Sequence, residues 1–213
     1  MADSASIAYS TVYAGTSTPG GPPPWLNALF EDIRGGSDSA VRVTFDVSGL
    51  VSREYVSSFY FNFRESINPG SVTVTDVATS NFSGTPTFVL GQQNDQNAGS
   101  GYRFDFEVDL PTAQTDRMTD GSRVSFVLNR SGGINIYDLL VTTLSNSQEA
   151  SLSVAHILAL ADGSSVWVSA GDRYSLNPGT TPVPEPGTVG AVAVAGGLLA
   201  WQWARRRTSG AKA

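Results

Sequence analysis

The chain has 213 residues, 40% of them hydrophobic and 15% charged, with a formal net charge of −6 and no cysteine. Disulfide staples, thiol catalysis and Cys-type zinc sites are therefore excluded. Before residue 187, nine basic residues stand against nineteen acidic ones, a balance of −10 without one lysine, and such a surface repels nucleic acid.

The 186 residues before Gly187 are enough for one all-β domain with a sizeable core. Residues 6–14 read as a first strand, with Ile7, Tyr9 and Tyr13 on one side and Ala8 and Val12 on the other. Residues 18–24 (TPGGPPP) form a stiff breaker loop. Residues 25–33 (WLNALFEDI) are apolar at 25, 26, 29, 30 and 33, a spacing that predicts one short helix, opened by Pro24 and packed over an end or edge of the sheets.

Residues 40–50 carry the clearest strand pattern. Val41, Val43, Phe45 and Val47 alternate with Arg42, Thr44, Asp46 and Ser48, so one face is buried and the other wet. Further strands are expected over 56–64 with Phe59, Phe61 and Phe63 inward, around Val72 and Val74, and over 87–90. Residues 91–101 (GQQNDQNAGSG) offer nothing to bury and read as a flexible loop. Over 102–110, Tyr102, Phe104, Phe106 and Val108 face in while Arg103, Asp105, Glu107 and Asp109 face out. Residues 123–128 form another strand, and 134–144 read either as a short helix or as an irregular crossover. Strands 152–160 and 165–170 are joined by a turn at 161–164 (ADGS). Roughly eight to ten short strands with turns between them predict an antiparallel β-sandwich over residues 1–174, because strands with one apolar face must bury it against a second sheet. Residues 175–182 read as a linker.

Little in this body suggests catalysis, and no enzyme is expected. His156 is the one histidine, and no G-x-S-x-G elbow accompanies it. Asp105, Glu107 and Asp109 recur at alternate positions, which spaces them about 7 Å apart and is compatible with a two-carboxylate site. The simpler reading is a solvated outer strand face. No metal site is assigned. Calcium is the one cofactor option, through Asp95, Asp116 and Asp120 in loops, although no D-x-D-x-D-G loop is present. Asn81-Phe82-Ser83 and Asn129-Arg130-Ser131 match the glycosylation sequon by chance composition. Trp25 and Trp167 are the aromatic groups able to stack on sugar rings. Trp167, between Val166 and Val168, reads as core, so Trp25 is the ligand-binding candidate.

The end of the chain differs from everything before it. Val183, Pro184, Glu185 and Pro186 come first, then seventeen residues from 187 to 203 without an ionisable side chain, then Arg205, Arg206 and Arg207. The apolar run reaches the lower end of the roughly 17–25 residues that span a bilayer. The arginines place the C-terminus in the cytoplasm, so 187–204 reads as a transmembrane helix and 205–213 as its basic tail. Trp201 and Trp203 suit the interface, and Gly196 with Ala200 forms a small-xxx-small pair. A buried C-terminal helix with a charged end is the plainer alternative.

This tail resembles the PEP-CTERM sorting signal of Gram-negative bacteria. The resemblance implies that an exosortase, an integral-membrane enzyme akin to cysteine transpeptidases, recognises the chain and cuts it near Pro184-Glu185-Pro186. It also implies export, a transient inner-membrane anchor, and a final place at the cell surface or in the extracellular matrix, with exopolysaccharide and biofilm. Residues 1–14 show neither a basic n-region nor an apolar h-region. The expectation is thus a signal peptide removed, replaced by a start methionine, or lost to a mis-assigned start. Val154-Ala155-His156-Ile157 and the stretch from Gly163 to Val168 are similar to the closing hairpin of PEP-CTERM β-sandwich ectodomains, departing at Leu158, where Gln is common, and at Val166, where Gly is common. The expected role is structural or interactive without catalysis, with a carbohydrate-binding module as the alternative and a glycoside hydrolase behind both.

Overall fold

The alternation over residues 40–47 becomes β4 (Ala40–Val47), a central strand with neighbours on both sides. In this computed structural model, residues 3–33, 39–99, 102–143 and 150–177 are described. The sorting segment, with Val183, Pro184, Glu185, Pro186 and Arg205, Arg206 and Arg207, lies outside them.

Two six-stranded antiparallel sheets make up the domain. The first runs in the order β14 (Ser175–Asn177), β1 (Ser4–Tyr9), β3 (Leu26–Ile33), β4, β11 (Arg123–Arg130), β6 (Val72–Ser80). The second runs β2 (Thr11–Ala14), β13 (Val166–Ser169), β12 (Ser153–Leu158), β5 (Tyr55–Phe61), β10 (Phe106–Asp109), β7 (Thr87–Leu90). A separate hairpin pairs β8 (Gln96–Ala98) with β9 (Tyr102–Phe104). Inward side chains of both sheets share one core. Phe45 of β4 stacks on Phe59 of β5 at 3.9 Å, Phe30 of β3 meets Phe61 edge-on at 6.1 Å, and Phe126 of β11 meets Phe88 of β7 at 4.9 Å. The fold is thus all-β, with antiparallel sheets, as the alternation predicts. Among the described residues there is no α-helix, and no helix long and apolar enough to cross a membrane.

Fourteen strands occur among the described residues, more than the number expected, and the excess has physical causes. The expected helix at 25–33 is the strand β3. Leu26, Ala28, Phe30 and Asp32 are buried in alternation, while Leu29 and Ile33 lie half-buried on the opposite face. Those two residues created the helical spacing. Hydrogen bonding to β1 on one edge and β4 on the other overrides it. The expected first strand breaks at Ser10, where the chain leaves the first sheet as β1 and enters the second as β2. Residues 175–177, expected to begin a linker, instead pair with β1. The ambiguous stretch after Ile134 settles as a single 3-10 turn, Ile136–Asp138, closed by a reciprocal cap between Asn135 and Asp138.

Candidate functional site

Of the residues that the sequence singled out, the outer face of the second sheet gathers His156, Trp167, Glu107 and Asp109. Ala155 and Ile157 point into the core, so period two sends Val154 and His156 outward. Val166 and Val168 likewise point in, which turns Trp167 out. The register sets His156 opposite Trp167, and their rings stack at 4.2 Å and 8°. On the next strand, Tyr60 lies opposite Val154 and Glu107 lies opposite Tyr60. The Tyr60 hydroxyl donates to Glu107 Oε1 at 2.5 Å. Burial and then the bond to Glu107 push the Tyr60 phenol well above its ordinary value, so it keeps its proton.

The β8–β9 hairpin covers part of this face. Ala98, Tyr102 and Phe104 form a second apolar cluster with Tyr60 and Val154, edged by Tyr13 and Trp167. Tyr13 donates to the Ala98 carbonyl at 2.8 Å and meets the Tyr102 ring edge-on at 4.6 Å. Gly99 has φ +65°, and a Cβ there would come within 2.8 Å of the Tyr13 hydroxyl, so the turn needs glycine. Residues 91–99, expected as a loop with nothing to bury, therefore contain a strand with a packed face.

His156 does not belong to a triad. A bulge in the β5–β12 pairing brings Ser57 beside it, with the Ser57 Oγ at 3.2 Å from the imidazole Nδ1. No carboxylate among the described residues hydrogen-bonds to the ring. Burial holds its pKa below the ordinary histidine value, which favours the neutral form.

The three alternate carboxylates are not brought together on one wet row. Phe104 packs in the outer cluster and Phe106 in the main core, so the chain rolls at Asp105. Asp105 is only 3% exposed. Its Oδ2 accepts from the Phe63 amide at 2.8 Å and its Oδ1 from the Asn94 amide at 2.6 Å. Glu107 and Asp109 remain on the outer face. Other buried carboxylates behave like Asp105. Glu54 accepts from Gly20 and Val51, Asp32 from Ile136, and Asp138 from Asn135. These side chains hold loops.

Trp25 is not a surface group. It is 5% exposed, its indole N–H donates to the Gly21 carbonyl at 2.8 Å, and its ring belongs to the main core. The backbone bond from Trp25 N to Tyr9 O extends the β1–β3 ladder and draws the side chain inward. The reading that made it a sugar-stacking residue is corrected. Of the two tryptophans among the described residues, Trp167 is the one that reaches the surface, and the alternation of Val166 and Val168 was the signal for it. Asp95, Asp116 and Asp120 do not converge, since no three of His, Asp and Glu gather as a metal site among the described residues. Asp116 accepts instead from Ser83 at 2.9 Å. Both sequon asparagines have their side-chain nitrogens engaged, Asn81 with Gly121 O and Asn129 with Thr75 Oγ1.

Comparison with known proteins finds no matching family model, no similar curated protein and no similar solved structure. The class that is shown is an all-β protein built of antiparallel sheets.

Proposed function

We propose that this chain is an exported, exosortase-processed protein of the cell surface or extracellular matrix, associated with exopolysaccharide. Its β-sandwich is a non-catalytic structural or interaction module, and residues 187–204 are a transient transmembrane anchor. One observation carries the sorting half, namely the order at the end of the chain. A proline-flanked glutamate precedes seventeen residues without ionisable side chains, and three arginines follow. In an inner membrane the arginines hold the C-terminus on the cytoplasmic side, which leaves Glu185 on the far side within reach of the processing enzyme. The engagement of Asp105, Glu54, Asp32 and Asp138 with backbone amides supports the non-catalytic half. Replacing Glu185 by Ala, or Arg205, Arg206 and Arg207 together by neutral residues, is expected to leave uncut precursor in the inner membrane. Fractionation and immunoblotting read the result, and unchanged surface delivery of both variants would overturn the proposal.

The carbohydrate-binding reading moves from Trp25 to the stacked His156–Trp167 pair. Half-buried rings beside Glu107 and the exposed Asp109 offer an apolar platform with acceptors for sugar hydroxyls. Pull-down on the host exopolysaccharide should be lost in Trp167→Ala. Retention by the variant equal to that of the parent removes this reading.

A further inference from the structure

We infer that a cavity behind Asp105 binds a divalent cation of the calcium class. The cavity has a volume of about 310 Å³ and is lined by Asn62, Phe63, Glu65, Gln93, Asn94, Asp105 and residues 141–143. None of the aspartates named as calcium candidates from the sequence lines it.

Two independent features make it a cation site. The first is the charge on Asp105. Its carboxylate is buried, receives two backbone N–H bonds, and has no ion-pair partner among the described residues. A buried charge without a counter-charge is costly, and a carboxylate with two donors still has lone pairs to offer. The second is Asn62. It is 5% exposed, and its side-chain Oδ1 is buried without a protein hydrogen-bond partner. Buried carbonyl oxygens are nearly always satisfied, so this one asks for an electrophilic partner. Both residues line the same cavity.

The remaining donors fit a hard cation. Glu65 supplies a second, exposed carboxylate at the rim. The Gln93 side-chain amide nitrogen is fixed by the carbonyls of Glu65 at 2.8 Å and Ile67 at 3.4 Å, which leaves its oxygen as an acceptor. Thr143 donates its hydroxyl proton to Arg103 O at 2.7 Å and keeps its oxygen lone pairs. Every donor is oxygen, carboxylate or carbonyl in the main, with neither nitrogen nor sulfur. That set suits calcium, which takes 6–8 oxygens in flexible geometry and fills the balance with water. Magnesium needs a tighter octahedron, and transition metals favour imidazole or thiolate. With two carboxylates and an open rim, affinity falls in the range of roughly 10⁻⁴–10⁻³ M found for extracellular modules. The inference does not depend on the sorting proposal.

The test uses the full-length chain freed of metal with chelator. Thermal unfolding is followed with calcium, with magnesium, and with sodium chloride at matched ionic strength. Calcium at about ten times its Kd should raise Tm by about 3–5 °C, with a smaller or no rise for the other salts. Glu65→Gln changes an exposed rim residue and should fold normally with the calcium shift reduced to less than half. Asn62→Leu replaces the orphaned amide by an apolar group of similar shape and should fold without responding to calcium. Equal shifts in all three salts, or a parental calcium response in both variants, would overturn the inference.

Discussion

Phe59→Ala is expected to lower the free energy of unfolding by about 3–5 kcal/mol. The ring is fully buried between the two sheets, stacked on Phe45 at 3.9 Å and edge-on to Tyr9 at 6.2 Å. Truncation removes the transfer free energy of a benzyl group and leaves a cavity. The surroundings cannot close over it, because β5 is hydrogen-bonded to β12 on one side and β10 on the other, and so cannot shift alone. No disulfide shares the load. Urea unfolding of the full-length protein measures the effect. A loss below about 1 kcal/mol would mean that the two sheets do not meet at this residue.

Asp105→Ala is expected to cost about 2–4 kcal/mol. The carboxylate satisfies the Phe63 amide in a fully buried setting and the Asn94 amide in a partly buried one. After truncation both amides lose this acceptor, and the Phe63 amide is the deeper of the two. Asp105→Asn keeps one acceptor oxygen and should cost clearly less. Both are measured in chelator, which separates the amide bonds from any bound cation. Hydrogen exchange at the Phe63 amide should quicken in the alanine variant. If the alanine variant unfolded at the parental denaturant midpoint, Asp105 would not be the residue that turns the chain.

These two residues mark what the sequence does and does not reveal. Phe59 sits on a strand whose alternation is plain, and its inward direction follows from period two. β4 and β11 are legible for the same reason. Asp105 occupies an equally regular pattern that misleads, because period two assumes that a strand does not turn over. Two buried clusters on opposite faces of one sheet force it to do so, and only tertiary contacts say where. β3 fails in another way. Its outer face is half-buried, so apolar residues on both faces imitate a helix. Trp25 and Trp167 exchange roles because local neighbours describe the strand, while the choice of face depends on which ladder the strand joins. The orphaned Asn62 oxygen leaves no trace in sequence at all. It is defined by partners it lacks, and those come from distant segments.

The last strand among the described residues also determines how the molecule answers a pull. Tension applied beyond Asn177 meets β14 first, a wholly exposed strand joined to β1 by three register pairs. Once those part, residues 172–177 form a tether with a fully extended length of about 20 Å. The strain then reaches Ala170 and Gly171, which are bonded to Ser153 and Leu152 in the interior of the second sheet. β1 meanwhile stays zipped to β3 along its whole length. A molecule fixed by its C-terminal end would thus behave like a leash with a short elastic coil, yielding a fixed length before its core feels any force.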